Sequence, residues 1–255
     1  DGPLNIRAIL TVGADGRHSL VRQKAGLKII DVGAPIDVLW MRISRLKTDP
    51  EQLLGRIETG KMVALIDRHD YWQCAYVIPK GAAEKIMSEG IESLRAALSE
   101  LVPFFGDRVQ ELKDWNDVKL LTVSVNYLEQ WFKRGLLCIG DAAHAMSPVG
   151  GVGINLAIQD AVATANILSE PLHAGRVRQT DLRLVQGRRM WPTMMTQRMQ
   201  IFVQKNIILR AVGKTTRPEL PFVMKLMNWF PVLQRIPAHF IGVGFRPEHI
   251  NTTLR

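Results

Sequence analysis

The sequence predicts a mixed α/β (α+β) fold, in which a mostly antiparallel sheet accompanies a strand–loop–helix unit and a helical C-terminal region. Three observations predict it. Short runs of alternating, β-branched and aromatic residues recur between positions 29 and 127, as half-buried strands require. The stretch GLLCIGDAAHAMSPVGGVGIN, positions 135–155, passes from an apolar run through a glycine-rich loop into a helical pattern. From Asp181 to Val212 a long, Met-rich pattern reads as helix.

Taken in chain order, Leu4 to Val12 alternates and then turns apolar, as a strand entering a core does. GADGRHS breaks it, and LVRQKAGL forms a short helix ended by Gly26. Ile36 to Ser44 is a strand. KMVALIDR and YWQCAYVIP form a hairpin turning at Arg68, His69 and Asp70. From Glu89 to Leu101, the residues Ile91, Leu94, Leu98 and Leu101 fall at helical spacing. Val118 to Val125 alternates again. GLLCIGD is a short buried strand, and VGINLAIQDAVATANIL is a helix with small residues on one side, as close packing needs. Pro192 should kink the long Met-rich helix. Positions 218–255 mix proline, aromatics and arginine, and no internal repeat or low-complexity segment is present.

The 255 residues, 47% hydrophobic and 22% charged, suit a globular chain of one or two domains. Cys74 and Cys138 lie far apart in apolar runs and read as buried thiols of a reducing, cytoplasmic setting. No run is long and apolar enough to span a bilayer, and no secretory signal opens the chain. The chain starts directly on a turn, Asp1-Gly2-Pro3, which points to further residues before Asp1 in the native protein.

The net charge of +9 is unevenly placed. Positions 1–170 hold 19 Lys and Arg against 21 Asp and Glu, whereas positions 171–255 hold 14 against 3. The basic excess has two readings: solvated helix faces whose long stems cover apolar surface, or peripheral contact with an anionic membrane. Adjacent Trp229 and Phe230 among basic residues suit the second. No nucleic-acid-binding module is recognisable, so nucleic acid is not an expected partner. The sequence leaves the oligomeric state open.

The glycine-rich loop carries the chemistry. A strand followed by Gly140-Asp141, a glycine-rich turn and a helix aims backbone N–H groups at a ligand. Glycine lets that backbone approach closely, and Asp141, at the end of a buried strand, can accept hydrogen bonds from hydroxyls. A plain strand–turn–helix connection accounts for the pattern equally well.

The stretch from Gly135 to Ala161 resembles the second flavin-binding motif of the FAD-dependent aromatic hydroxylases, the group A flavoprotein monooxygenases similar to p-hydroxybenzoate hydroxylase. The resemblance implies that Gly140 and Asp141 bind the ribityl chain of FAD. It implies that Pro148 and the backbone of Gly151, Val152, Gly153, Ile154 and Asn155 lie beside the isoalloxazine ring, with Pro148 at the oxygen site. Many relatives carry a polar residue where this chain has Val152. VGADGRHSLVR, Val12 to Arg22, resembles the family's DG motif between FAD and the nicotinamide cofactor, with Asp15, Gly16 and Arg17 at the motif positions and Ser19 and Arg22 in its tail. No GxGxxG precedes Asp15, so the element that holds the adenosine half of FAD in relatives is not within the sequence. Either the full protein is longer, or the chain binds FAD poorly.

The resemblance implies part of a Rossmann-like FAD-binding domain at 1–28 and 128–180, an inserted, mostly antiparallel substrate-binding sheet at 29–127 and a helical region at 181–255. It implies monooxygenation of an apolar or aromatic small molecule with NAD(P)H and O2, through a flavin C4a-hydroperoxide, and no catalytic side chain beyond the flavin itself. Trp72 and Tyr76, on the aromatic strand, are candidates to line the substrate pocket or ordinary sheet core. Flavin-dependent halogenases carry a loosely similar W-x-W-x-I-P stretch, but Cys74 stands at its second Trp position. His69-Asp70 reads as a hairpin tip, and no metal site is expected. His144 reads as a packing residue near the flavin or, less well, as an acid–base group. Two alternatives stay open: a flavin-dependent reductase or dehydrogenase, such as one acting on a prenyl lipid, and a non-catalytic binding protein on the same scaffold.

Overall fold

In the computed structural model, which describes residues 2–51, 55–58, 60–212, 229–230 and 235–251, most of the strand runs pair antiparallel. In chain order the elements are β1 (Thr11–Gly13), α1 (Leu20–Lys24), β2 (Ile29–Asp31), β3 (Ile36–Ser44), β4 (Gly55–Glu58), β5 (Lys61–Asp67), β6 (Tyr71–Pro79), α2 (Ala83–Ser88) and α3 (Ile91–Leu101). There follow β7 (Lys119–Leu121), β8 (Asn126–Leu128), β9 (Phe132–Lys133), β10 (Leu136–Cys138), β11 (His144–Ala145), α4 (Gly153–His173) and α5 (Gln179–Val203), and a last helix spans Arg235–Gly242. The chain divides into two compact units, one within residues 1–33, 124–200 and 227–255, the other within 34–123 and 201–226.

The second unit is a five-stranded antiparallel sheet in the order β4-β5-β6-β3-β7. β3 and β6 pair along their whole length, from Ile36 opposite Pro79 to Ser44 opposite Tyr71. Side chains alternate along a strand, so one face collects Leu39, Met41, Ile43, Val63, Leu65, Trp72, Cys74, Tyr76 and Ile78. Against them pack Leu94, Leu98 and Leu101 of α3 and the turn residues Phe105 and Val109. Asp49 ties the rim of this core: it accepts from Trp72 Nε1 at 2.8 Å and from both Nη atoms of Arg108 at 2.7 and 2.8 Å. Burial pushes the Asp49 carboxyl up, but these bonds outweigh it and hold it down at about 2.

In the first unit β1 pairs parallel with β10, which pairs antiparallel with β9, and β11, β8 and β2 form a second small sheet. Leu128, Trp131, Phe132 and Leu137 pack with Leu168 of α4 and with Leu182 and Val185 of α5.

The structure corrects several sequence expectations. Of the first expected strand, Leu4 to Val12, only Thr11 and Val12 pair, within β1; Leu4 and Ile6 are 83% and 79% exposed, with no strand beside them among the described residues. The run at 118–125 keeps only β7 as strand. The Asp37 carboxylate takes the Val123 N–H at 2.8 Å, where a ladder carbonyl would otherwise serve. The helix expected from Glu89 begins at Ile91, after Gly90 at φ +85°. α5 contains Pro192 and continues to Val203, and a π turn follows at Gln204–Ile208. Residues 181–200 group with β1 and β10. The compact units divide at 33/34 and 123/124.

Candidate functional site

The site starts from a capped helix. Ser19 Oγ accepts from Arg22 N at 3.0 Å, and Asp15 accepts from Val21 N at 3.1 Å. The hydrogen bond from Ser19, joined by backbone donors, holds the Asp15 carboxyl below its usual range. These bonds turn the chain so that Arg22, 7% exposed, points inward. Its guanidinium donates to Arg17 O, and to Asp141 O and Ala142 O at 3.4 Å each. Arg17 Nη2 lies 3.5 Å from Asp141 Oδ2. The two motifs, more than a hundred residues apart in sequence, therefore meet side chain to side chain.

Asp141 is placed by what precedes it. β10 hands the chain over with Ile139 N bonded to Gly13 O at 3.0 Å. Gly140 then adopts φ +58°, and a Cβ there would sit 3.0 Å from Ala157 Cβ, so both backbone and space demand glycine. Asp160 of α4, fully buried, accepts from Gly140 N at 3.0 Å, meets His144 Nε2 at 2.6 Å and accepts from Arg189 Nε of α5 at 2.9 Å. Burial pushes its carboxyl up, but the charge and hydrogen bonds of His144 and Arg189 hold it below the ordinary range. Arg189, also fully buried, donates to Arg246 O at 2.9 Å and to Gln159 Oε1 at 3.0 Å. The Gly140 turn is thus tied through Asp160 to His144 and Arg189, while Asp141 stays part-exposed.

Beyond the turn, Pro148 leads into Val149–Gly151, where Gly150 and Gly151 take φ +80° and +64°. α4 then starts at Gly153 with Val152 as its N-cap. Valine has no acceptor, so the first N–H groups of the helix have no side-chain cap and keep their positive end for a ligand. Val152 itself is 2% exposed and packs with Met146 and Leu156, so only its backbone serves the loop. Asn155 turns its amide to Ile241 O and Gly242 O at 3.4 Å, and Ile154 is 68% exposed.

These residues fit a large polyhydroxylated, electron-rich cofactor. The Cβ positions of Gly16 and Gly151 open on space free of atoms within 4 Å. Arg17 Nη1 is buried with no partner among the described residues. The helix start lacks a cap and Asp141 offers carboxylate oxygens to hydroxyls.

The remaining candidates fall as follows. Trp72 and Tyr76, candidates for pocket lining or sheet core, lie in the core, 0% and 9% exposed: alternation puts them on one face of the sheet, and α3 packs against that face. The opposite parity brings Trp40, Arg42, Tyr71 and Gln73 to a cleft of about 450 Å³, with the Arg42 guanidinium 3.8 Å from the centre of the Tyr71 ring. His144 is 1% exposed and held between Asp160 and the Trp131 ring, 5.0 Å away. That placement makes it part of the scaffold. Cys74 and Cys138 are free and buried, and burial pushes their thiols up to about 12 and about 11. Among the described residues no three His, Cys, Asp or Glu side chains gather as metal ligands, and no helix is long and apolar enough to cross a membrane. Sequence reasoning missed Asp160, Arg189, Gln197 and Gln200. Their polar types at i, i+8 and i+11 on one helix face were the available signal for the last three.

Comparison with known proteins bears on the whole arrangement. The chain is 33% identical over 239 residues to 6-methylpretetramide 4-monooxygenase of Streptomyces rimosus, covering 91% of this chain and 56% of that protein. It is 28% identical over 185 residues to digeranylgeranylglycerophospholipid reductase 2 of Methanothermobacter thermautotrophicus, covering 69% of this chain and 45% of that protein. The crystal structure of PqsL, a probable FAD-dependent monooxygenase from Pseudomonas aeruginosa, superposes with a TM-score of 0.64 at 22% identity, over 78% of this chain and 56% of that one. That likeness shows the shared fold. The chain thus spans about half the length of the relatives it matches. Residues 1–191 match the family profile described as FAD binding domain, and the chain belongs to that family, among relatives that include FAD-dependent monooxygenases.

Proposed function

We propose that this chain is the part of an FAD-dependent monooxygenase that holds the ribityl and ring portions of the cofactor, and that the whole protein hydroxylates an aromatic small molecule with NAD(P)H and O2. The observation that carries the reading is the meeting of the two motifs at Arg17 and Asp141, beside an uncapped helix start. Asp141 accepts from the ribityl hydroxyls. The N–H groups at the start of α4 face the electron-rich edge of the ring and stabilise negative charge there. Arg17, Asp15 and Gly16 form the turn that the nicotinamide approaches. FAD, when bound, supplies the electron transfer from nicotinamide to oxygen that no side chain can perform. The aromatic substrate class follows from the name of the Streptomyces relative and from the aromatic and cationic lining of the cleft at Trp40, Arg42 and Tyr71.

The test uses the full-length protein. NAD(P)H consumption should require both O2 and an aromatic substrate, and Asp141→Ala should weaken FAD binding by about 1.5–3 kcal/mol, the loss of a charge-assisted hydrogen bond. Unchanged flavin affinity by titration rules out the Asp141 role. Likeness to the lipid reductase supports a second reading, a flavin-dependent reductase, which substrate-dependent NAD(P)H consumption at the same rate without oxygen would favour.

The basic C-terminal third is proposed to touch an anionic membrane surface. Trp229 and Phe230 are 80% and 56% exposed, while their neighbours at 220–228 and 231–234 lie outside the described residues. Sedimentation with anionic vesicles should exceed that with neutral ones and fall as salt rises. Equal sedimentation with both kinds of vesicle discards the charge argument.

A further inference from the structure

Helix α5 meets the flavin loop through amides. Arg189, Thr193, Thr196, Gln197 and Gln200 on its inner face are each at most 2% exposed. Burying such side chains costs free energy unless they form hydrogen bonds. The two glutamines spend theirs on loop backbone. Gln197 Nε2 donates to Asn126 O at 2.8 Å and to Ala145 O at 3.1 Å. Gln200 Oε1 accepts from Ser147 N at 3.2 Å, and its Nε2 donates to Ser147 O at 2.9 Å and Val149 O at 2.8 Å.

One amide therefore satisfies both backbone groups of Ser147 and the carbonyl of Val149, on either side of Pro148. Pro148 has no N–H of its own, so its neighbours are the backbone handles by which the loop can be held. The loop it belongs to then passes through two left-handed glycines, which resist no displacement by themselves. We infer that Gln200 is a positioning residue that sets Pro148 and the following glycine turn in place for the flavin, with Gln197 fixing the strand that enters the loop. The inference rests on reading this loop as the flavin loop.

The experiment compares Gln200→Met, close in volume but unable to make these bonds, with Val185→Ala, a core truncation on the same helix at a fully buried position. Both are made in the full-length holoenzyme, and thermal unfolding confirms that both fold. In Gln200→Met the Ser147 amide should exchange at least about tenfold faster, the visible circular dichroism of bound FAD should change, and FAD affinity should fall about tenfold, the equivalent of one ordinary hydrogen bond. Val185→Ala should lower the melting temperature and leave all three unchanged.

Gln200→Glu supplies an independent arm. Its protonated carboxyl can still accept from Ser147 N and donate to one carbonyl, whereas the ionised form faces two carbonyl oxygens. FAD affinity of this variant should therefore fall as pH rises through the carboxyl's titration, while the parent's should not follow it. Unchanged Ser147 exchange and flavin dichroism in Gln200→Met overturn the inference, as does an equal change in Val185→Ala, or a Gln200→Glu affinity that tracks the parent at every pH. If Asp141→Ala weakens FAD binding while Gln200→Met does not, the role of Gln200 fails alone. If neither weakens it, the flavin-loop reading falls with it.

Discussion

Replacing Asp160 with Asn tests whether the Gly140 turn is held by a buried charge network. Asp160 and Arg189 are both fully buried, and Asp160 receives three donors: Gly140 N, His144 Nε2 and Arg189 Nε. Asparagine keeps the volume but offers one acceptor oxygen, and its amide group turns a donor toward another donor. The guanidinium then loses its fully buried counter-charge. Removing one partner of a buried pair costs about 3–5 kcal/mol. Glu248 stands 3.4 Å from Arg189 Nη1 and compensates in part, which places the expected loss at the lower end, about 3 kcal/mol. That is a large share of the roughly 5–15 kcal/mol that keeps a domain folded. The assay is denaturant unfolding of the full-length protein, with Arg189→Met and the double variant completing a cycle. A coupling of about 2 kcal/mol is expected between the two positions. A loss below about 1 kcal/mol for Asp160→Asn, or strict additivity in the cycle, refutes the network.

Gly140→Ala should destabilise by about 1–2 kcal/mol, since alanine meets a left-handed backbone, and part of the loss should return with Ala157→Gly, which clears the Cβ contact; an unfolding midpoint equal to the parent's contradicts this. Asp49 contributes to the acid sensitivity of the sheet unit. Its folded pKa of about 2 lies below the ordinary aspartate value of 3.8, so its stabilisation is full above about pH 4 and is lost as pH falls toward 2. The shift amounts to about 2 kcal/mol, and Asp49→Asn should flatten that acid limb in a pH series of unfolding midpoints. An acid limb unchanged in the variant shows that other carboxyls set it.

Much of this protein was legible in the sequence because the signals were local. β3, β5, β6, the hairpin turn that joins β5 to β6, and α3 follow from alternation and helical spacing, which a few consecutive residues determine. The two motifs, at 12–22 and 135–161, were legible because their glycines and aspartates answer to backbone demands at fixed positions: Gly140 at φ +58°, Asp15 and Ser19 at a helix start. The sequence also placed Asp141 at the end of a buried strand. Only the tertiary structure decided which face of β6 is core, and so moved the open cleft from Trp72 and Tyr76 to Trp40, Arg42 and Tyr71. Period-2 alternation names two faces, and only packing against α3 chooses between them. Tertiary packing likewise decided that Asp160, Arg189 and Gln200, unremarkable as single letters, hold the Gly140 turn and the Pro148 loop. Their partners lie 20, 29 and about 50 residues away in sequence, and a hydrogen bond across such distances exists only once α4 and α5 have packed.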